Sequence, residues 1–274
     1  GSDTLDLSAV TADLTIAVHA AGAVSISDGT SAINNIAGVD NIVGGSGTNT
    51  YTFEDGAALA GTISGGSNVL NYAASTSAIA VDLGAGTASG TGGIAGVTSI
   101  IGSGGSDTLT GPAADASWSI SGTNSGTVNG VSFSGIENLA GGSGADTFAF
   151  AGGTAASVAG GDGDDYVTGV LDATVLDLGL GSDTLDLSSD TGDVTVTVSS
   201  DGSVGIDDGT VNIEGITGAD NVLGTSGTNT YVFAAGAALA GSVNGSRVIL
   251  DYSNYTSAVT VDLTTGSATG TGGV

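Results

Sequence analysis

The sequence predicts an all-β protein whose short strands stack into a two-sided β-solenoid. Val, Ile and Leu recur in short alternating runs such as DLTIAV and VSIS, and each run ends at Gly, Asp or Ser. Motifs of nine residues recur at intervals of 19 and 18 residues, which is two motifs for each turn of such a coil. Aromatic residues are only 4% of the chain, and a narrow coil needs few of them. Uneven spacing elsewhere leaves a series of short tandem β-sandwich units as the alternative.

The recurring motifs begin at residues 141, 160 and 178 and read GGSGADTFA, GGDGDDYVT and LGLGSDTLD. Each has Gly in the fourth place, Asp in the sixth and an apolar residue in the eighth, which we expect to face the core. Glycine permits a sharp turn that points carbonyl groups inward, and Asp adds a carboxylate. Calcium binds six to eight oxygen ligands of these kinds. The spacing therefore places Asp146, Asp165 and Asp183 on one edge of the coil as candidate calcium ligands.

The motif resembles the calcium-binding nonapeptide of hemolysin-type (RTX) repeats in secreted bacterial proteins. The resemblance implies a right-handed parallel β-helix, or β-roll, with calcium between adjacent turns. It also implies that other oxygen donors assist the three aspartates. These are the carbonyl groups of Gly144 and Gly163 and the carboxylate of Asp162 or Asp164, with Asp107 and Asp3 as candidates from two related motifs.

The chain is strongly acidic, with a formal net charge of −27, no lysine and Arg247 as its one strong cation. Only three of its 28 acids are Glu, and a preference for Asp is typical of turns and calcium loops. The charge repels nucleic acid and anionic membranes, so neither is an expected partner. Cys is absent, and no apolar run is long enough to span a membrane. We expect an extracellular or cell-surface bacterial protein that is stabilised by calcium.

A long internal repeat organises the sequence. Residues 1–94 match residues 181–274 at an offset of 180 without a gap, and roughly half of the aligned residues are identical. We interpret residues 1–180 as one complete repeat unit and residues 181–274 as the first half of the next. Repeats of such regular length are typical of arrays, so we expect further units in both directions.

Two motif copies and one histidine are interpreted as metal-free. Asn49 and Asn229 stand where the other copies have Asp, and a neutral amide is a weaker calcium ligand but a good turn former. His19 is aligned with Ser199 in the second repeat. A repeated ligand or catalytic group would occur in both copies, so we interpret His19 as a surface residue.

The stretch that begins at Trp118 widens the resemblance to units of very large bacterial exoproteins and adhesins, because FSGIENL precedes a calcium-type motif. This implies a structural, non-catalytic stalk, extracellular fibre or surface layer used in adhesion or matrix building. Its partners would be neighbouring repeat units and like chains. The alternatives are a glycan- or ice-binding module, with surface glycans as partners, and a polysaccharide-active β-helix enzyme. The sequence shows no nucleophile beside a base and no His or Cys metal cluster, which disfavours an enzyme.

Overall fold

The computed structural model describes residues 1–169 and 173–274, which form strands and turns and contain no helix. The prediction of an all-β protein is therefore confirmed. In this described part of the chain, no helix is long and apolar enough to cross a membrane. The strands in chain order are β1 (Thr4–Asp6), β2 (Leu14–Val18), β3 (Val24–Ser27), β4 (Ala32–Ile36), β5 (Asn41–Val43), β6 (Thr48–Phe53), β7 (Thr62–Ser64), β8 (Ser67–Asn71), β9 (Ala80–Asp82), β10 (Thr87–Ala88), β11 (Gly93–Ile94), β12 (Val97–Ile101), β13 (Thr108–Thr110), β14 (Ser117–Gly122), β15 (Ser125–Val128), β16 (Val131–Ser134), β17 (Asn138–Gly142), β18 (Thr147–Phe150), β19 (Ala155–Asp162), β20 (Tyr166–Gly169), β21 (Ala173–Leu180), β22 (Asp183–Asp186), β23 (Val194–Val198), β24 (Val204–Asp207), β25 (Asn212–Ile216), β26 (Ala219–Leu223), β27 (Thr228–Phe233), β28 (Val243–Asn244), β29 (Arg247–Asp251), β30 (Val261–Asp262) and β31 (Ser267–Ala268).

The chain folds into two compact units. The first contains Gly1–Pro112 and Thr123–Leu139, and the second contains Ala113–Gly122 and Ala140–Val274. The boundary at residue 180 concerns the repeat in the sequence and stays a prediction.

In the second unit the chain returns to the same sheet after 19 and then 18 residues. Strands β18, β20 and β22 lie side by side in parallel, with Thr147 opposite Tyr166 and Tyr166 opposite Thr184. Strands β19 and β21 pair in parallel in another sheet, with Ala155 opposite Ala173. The alternation between the two sheets follows the spacing of the nine-residue motifs, because each motif runs from one sheet through a turn into the other.

The apolar eighth residues of the motifs form the core of this stack. Phe148, Val167 and Leu185 stand opposite one another in successive strands, and each side chain is completely buried. Trp118 stands opposite Phe148, and the two rings stack with their centroids 5.3 Å apart. Burying side chains of this size contributes roughly 1.5–3 kcal/mol each relative to leaving them in water. The predicted inward position of the eighth residue is thus what the structure shows.

The first unit has a comparable column of apolar side chains across parallel strands β2, β6, β8, β12 and β16. Ile16, Tyr51, Leu70, Ile100 and Phe133 stand opposite one another in that order. All five are buried. Side chains alternate between the two faces of a strand. The neighbours of these buried residues therefore point to the other face, which is partly exposed.

Antiparallel strands interrupt the parallel stacks, which the solenoid prediction did not include. Strands β2, β3 and β4 form an antiparallel meander, and β23, β24 and β25 form another with the same registers. The turn signals Asp28-Gly29 and Asp208-Gly209 lie between the second and third strands of each meander. Asp28 Oδ1 accepts the N–H groups of Thr30 and Ser31, and this local bond closes the turn.

Strand positions recur between the two sequence repeats. Strand β2 (Leu14–Val18) recurs as β23 (Val194–Val198), and β6 (Thr48–Phe53) recurs as β27 (Thr228–Phe233), each shifted by 180 residues. The pairing of β2 with β6 recurs in β23 with β27. The two copies therefore build the same local structure from sequences that differ at nearly half of their positions.

Close contact between glycines of successive turns limits what the stack tolerates. Gly161 has a φ of +115°, and a Cβ atom there would lie 2.1 Å from the carbonyl oxygen of Gly142. We expect Gly161→Ala to lower the free energy of unfolding by about 3 kcal/mol or more, because strain and clash combine. Urea denaturation measures this loss. Gly192→Ala is the control, because the nearest atom to its new Cβ lies at 3.7 Å. Equal losses for both variants would contradict the close packing.

Candidate functional site

The three predicted aspartates lie at the same point of successive turns in the second unit. Asp146 and Asp165 directly precede β18 and β20, and Asp183 begins β22. Because these strands stack in register, the three side chains form one line, which we call the aspartate column. Asp146 and Asp183 are 0% exposed and Asp165 is 1% exposed, although Asp is seldom buried to this degree.

Hydrogen bonds between main-chain N–H groups and carboxylates connect the aspartate column. The N–H of Asp146 donates to Asp165 Oδ1 at 2.8 Å, and the N–H of Asp165 donates to Asp183 Oδ1 at 2.8 Å. At the two ends, the N–H of Ala116 donates to Asp146 Oδ1, and the N–H of Asp183 donates to Asp220 Oδ2. Each carboxylate therefore accepts a hydrogen bond from the N–H at the start of the preceding strand. The parallel ladder would leave that N–H group unpaired.

The second oxygen of each carboxylate in the column is not satisfied. The Oδ2 atoms of Asp146, Asp165 and Asp183 are buried, and none of the described residues donates a hydrogen bond to them. A Cβ atom on Gly160 would lie 2.2 Å from both Asp165 Oδ2 and the carbonyl oxygen of Leu178. Carboxylate and carbonyl oxygens thus converge on the space that this glycine leaves open. A buried oxygen that faces other oxygens is costly unless a proton or a cation lies between them.

Burial shifts the titration of the column. It raises the pKa of Asp165 from 3.8 to about 6, the N–H of Asp146 acts in the opposite direction, and the charges of Asp146 and Asp183 add to the increase. Burial also raises the pKa values of Asp146 and Asp183, and nearby acids add to both shifts. The folded chain therefore holds protons on this column more firmly than an unfolded chain would.

The turns with Asn in the sixth place satisfy both ends of that side chain. Asn49 Oδ1 accepts the N–H of Gly45 at 2.8 Å. Its Nδ2 donates to the carbonyl oxygens of Gly45 and Gly47 and to Asn68 Oδ1. Asn229 likewise donates from Nδ2 to the carbonyl oxygen of Thr225, 3.1 Å away. The amide nitrogen supplies the positive end that the aspartate turns lack.

The other predicted carboxylate ligands are either exposed or already hydrogen-bonded in their own turns. Asp107 is buried, but Ser103 donates to both of its oxygens and the N–H of Ile79 donates to Oδ1. Asp3 is exposed near the start of the chain. Asp162 is also exposed, and so is Asp164, which accepts the N–H of Ser182. In addition to burial, the charge of Asp164 raises the pKa values of Asp165 and Asp183, so this exposed carboxylate lies near the column.

The two predicted glycines are close to one another in successive turns. A Cβ atom on Gly163 would lie 2.3 Å from the carbonyl oxygen of Gly144, and one on Gly181 would lie 1.9 Å from the carbonyl oxygen of Gly163. Their carbonyl groups therefore stack beside the aspartate turns. In the part of the chain that the structure describes, no group of three or more His, Cys, Asp or Glu side chains could hold a metal ion. A cation at the column would need such backbone oxygens as additional ligands.

A second set of acids caps the turns, and the motif pattern did not predict it. Glu137 Oε2 accepts the N–H of Asp107, and Asp40 Oδ2 accepts the N–H of Asp3, as Asp220 does for Asp183. Each of these acids is followed by Asn and an apolar residue. The recurring tripeptide Asp/Glu-Asn-apolar is the sequence signal for these caps. Its acidic residue accepts a main-chain N–H from the neighbouring turn.

Metal-free protein should lose stability as the pH rises from about 4 to about 6. The folded pKa of Asp165 lies above its ordinary value, so its contribution is present below pH 3.8 and is lost as the pH rises through about 6. We expect Asp165→Asn to lose less unfolding free energy between pH 4 and pH 7 than the unsubstituted chain. Urea denaturation of metal-free samples at both pH values measures the difference.

Glu214→Gln is the matched control, because Glu214 is an exposed acid in the same unit. It should keep the pH profile of the unsubstituted chain and change stability by no more than about 0.5 kcal/mol. If Asp165→Asn and Glu214→Gln gave the same pH profile, the loss would come from the general acidity of the chain.

Comparison with known proteins does not assign an identity to these turns. No protein-family model matches the chain, and no curated protein matches it either. The function of the turns therefore has to be inferred from their geometry and chemistry.

Proposed function

We propose that the chain is a structural segment built as a parallel β-solenoid. The observation that carries this proposal is the continuous line of N–H to carboxylate bonds through Asp146, Asp165 and Asp183. Such a line lets one turn after another be added with the same contacts, as in repeat proteins whose stability comes from neighbouring units. The right-handed winding follows from the resemblance to hemolysin-type repeats.

Calcium is the cation that the aspartate column suits best. Three buried Oδ2 atoms have no donor among the described residues, and hard carbonyl oxygens lie next to those of Asp146 and Asp165. Calcium accepts carboxylate and carbonyl oxygens together in flexible geometry. Each ion would lie between adjacent turns, held by one or two of Asp146, Asp165 and Asp183 together with backbone oxygens such as those of Gly160 and Leu178. A bound ion would supply the positive charge that compensates the repulsion between stacked carboxylates.

The chemistry of the chain suits the outside of a bacterial cell. With 28 acids and a single Arg, the folded chain gains from divalent cations in the medium. The chain has no Cys and so does not depend on oxidative folding. Its role would be that of a stalk, fibre or layer in a large secreted or surface protein used in adhesion or matrix building. Its partners would be neighbouring repeat units and like chains.

Calcium should stabilise the chain through the aspartate column. A site that binds only the folded state adds about 2.7 kcal/mol when free calcium is 100-fold above its dissociation constant. We therefore expect a higher melting temperature in calcium than in chelator. The triple variant Asp146→Asn, Asp165→Asn, Asp183→Asn should lose this response, because amide groups satisfy the turn without an ion. Differential scanning calorimetry measures both.

Asn49→Asp is the converse control in a turn that is satisfied without metal. It should lower stability in chelator, since it removes the Nδ2 donor, and it should regain that stability in calcium. A calcium response that persists unchanged in the triple variant would rule out the column as the site.

The structural role predicts that particle length grows with the number of repeat units. Strands in a stack lie about 4.8 Å apart, so each added turn extends the stack by a fixed amount. Small-angle X-ray scattering on chains of one, two and three 180-residue units should give a maximum dimension that rises linearly. Units that move independently on flexible joints would contradict the stiff-array proposal and would favour a string of separate binding domains.

A further inference from the structure

Three side chains on and beside the first meander form a hydrogen-bonded relay. None of them belongs to the aspartate column. Ser25 Oγ lies 2.8 Å from His19 Nε2, and His19 Nδ1 lies 2.8 Å from Glu54 Oε1. If the N–H is on Nδ1, it donates to the carboxylate and leaves Nε2 to accept the proton of the serine hydroxyl. A serine, a histidine and an acid in this order are the arrangement that activates a serine oxygen as a nucleophile.

The backbone holds each member of the relay in place. His19 directly follows β2, Ser25 lies on β3, and Glu54 directly follows β6. The N–H of His19 donates to the carbonyl oxygen of Ala23, and the N–H of Glu54 donates to that of Val18. These bonds fix the ends of the strands from which the side chains extend. The side chains of His19 and Glu54 are 27% and 50% exposed, so a small molecule can reach the relay from solvent.

The second repeat shows that the fold does not require the relay. Its aligned residues are Ser199, Gly205 and Ala234, so all three members of the relay are replaced together. The second meander nevertheless keeps the same strand registers, with Thr197 opposite Gly205 where the first has Ala17 opposite Ser25. The strand registers therefore do not depend on the relay.

We propose that Ser25, His19 and Glu54 form a site for the hydrolysis of small carboxylic esters. Ser25 Oγ attacks the acyl carbon while its proton passes to His19 Nε2. The same proton then passes to the leaving alcohol oxygen as the ester C–O bond breaks, which leaves an acyl group on Ser25. Water then attacks the acyl carbon while one of its protons passes to His19 Nε2. That proton passes to Ser25 Oγ as the acyl bond breaks, which releases the carboxylic acid and restores the serine hydroxyl group. Glu54 is a positioning residue that orients His19 and offsets the positive charge on the imidazole while it holds the proton.

The charge on Glu54 is maintained by its surroundings. Its hydrogen bond with His19, followed by the bond from the N–H of Ala20, lowers its pKa below the ordinary value of 4.5. An ionised acid at this point holds the imidazole in the orientation that leaves Nε2 free for the serine.

A backbone donor already points at the nucleophile. The N–H of Asn35 lies 3.2 Å from Ser25 Oγ. Asn35 has a φ of +56°, and the pairing of β3 with β4 shifts register between Val24 and Ile26, so this N–H leaves the regular ladder. After the serine bonds to an acyl carbon, this donor is within reach of the oxygen that becomes negative. The open strand surface around it suits small, unhindered esters.

Labelling with a fluorophosphonate probe tests the nucleophile directly. We expect one adduct per chain, located on Ser25 by mass spectrometry of peptides, and slow turnover of 4-nitrophenyl acetate. Ser25→Ala should abolish the adduct, and His19→Ala should slow labelling at least 100-fold. Ser27→Ala, on the same strand, is the control and should label at the original rate. Labelling that is spread over several serines, or that is unchanged in His19→Ala, would overturn the proposal.

Three further variants separate catalysis from folding. Glu54→Gln should slow labelling at least tenfold while Glu54→Asp restores part of the rate, with thermal unfolding unchanged in both. The triple change Ser199→His, Gly205→Ser, Ala234→Glu should add a second adduct, at residue 205. A Cβ atom on Gly205 meets no atom closer than 3.6 Å, so the serine fits there. If a folded triple variant gained no second adduct, the three residues would not suffice for reactivity and the proposal would fail.

Discussion

The parallel stack depends on one interaction, the hydrogen bond from the N–H at a strand start to a carboxylate in the neighbouring turn. In the second unit it passes from Asp146 to Asp165, to Asp183 and to Asp220. A turn between stacked strands leaves a buried N–H without a ladder partner, and that group has to be satisfied. A short acidic side chain does so without extra volume, and small glycines opposite it keep the turns close.

The second oxygen of each such carboxylate also has to be stabilised, and the turns do this in different ways. One carboxylate oxygen accepts the N–H, while the other remains buried against carbonyl oxygens. Asn49 meets the demand with its own amide nitrogen, and Asp107 meets it with the hydroxyl and N–H of Ser103. Asp165 has glycine at the place of Ser103, so it depends on a proton or a cation. Small changes in sequence can therefore set which turns need a proton or a cation, while the fold stays the same.

The meanders share a backbone between the two repeats but differ in their surface chemistry. Their strand registers are the same, yet polar residues on their surfaces change, as in His19 against Ser199. The inward side chains of these strands, such as Ile16 and Val196, are buried and apolar in both copies, so the differences fall on the exposed faces. Chemistry that one copy has and the other lacks is consequently found here, on a scaffold that both copies share.

The sequence by itself determined the all-β class, the inward apolar eighth residue and the alignment of Asp146, Asp165 and Asp183, because these follow from a local period of nine residues. Only the tertiary structure decided which of the predicted ligands lack a donor. Asp107 fits the same pattern, but its serine neighbour satisfies it. The antiparallel meanders and the approach of His19 to Glu54, which lies 35 residues away, were also undecided. Such features depend on which strand stacks beside which, and a local pattern contains no information about partners that are distant along the chain.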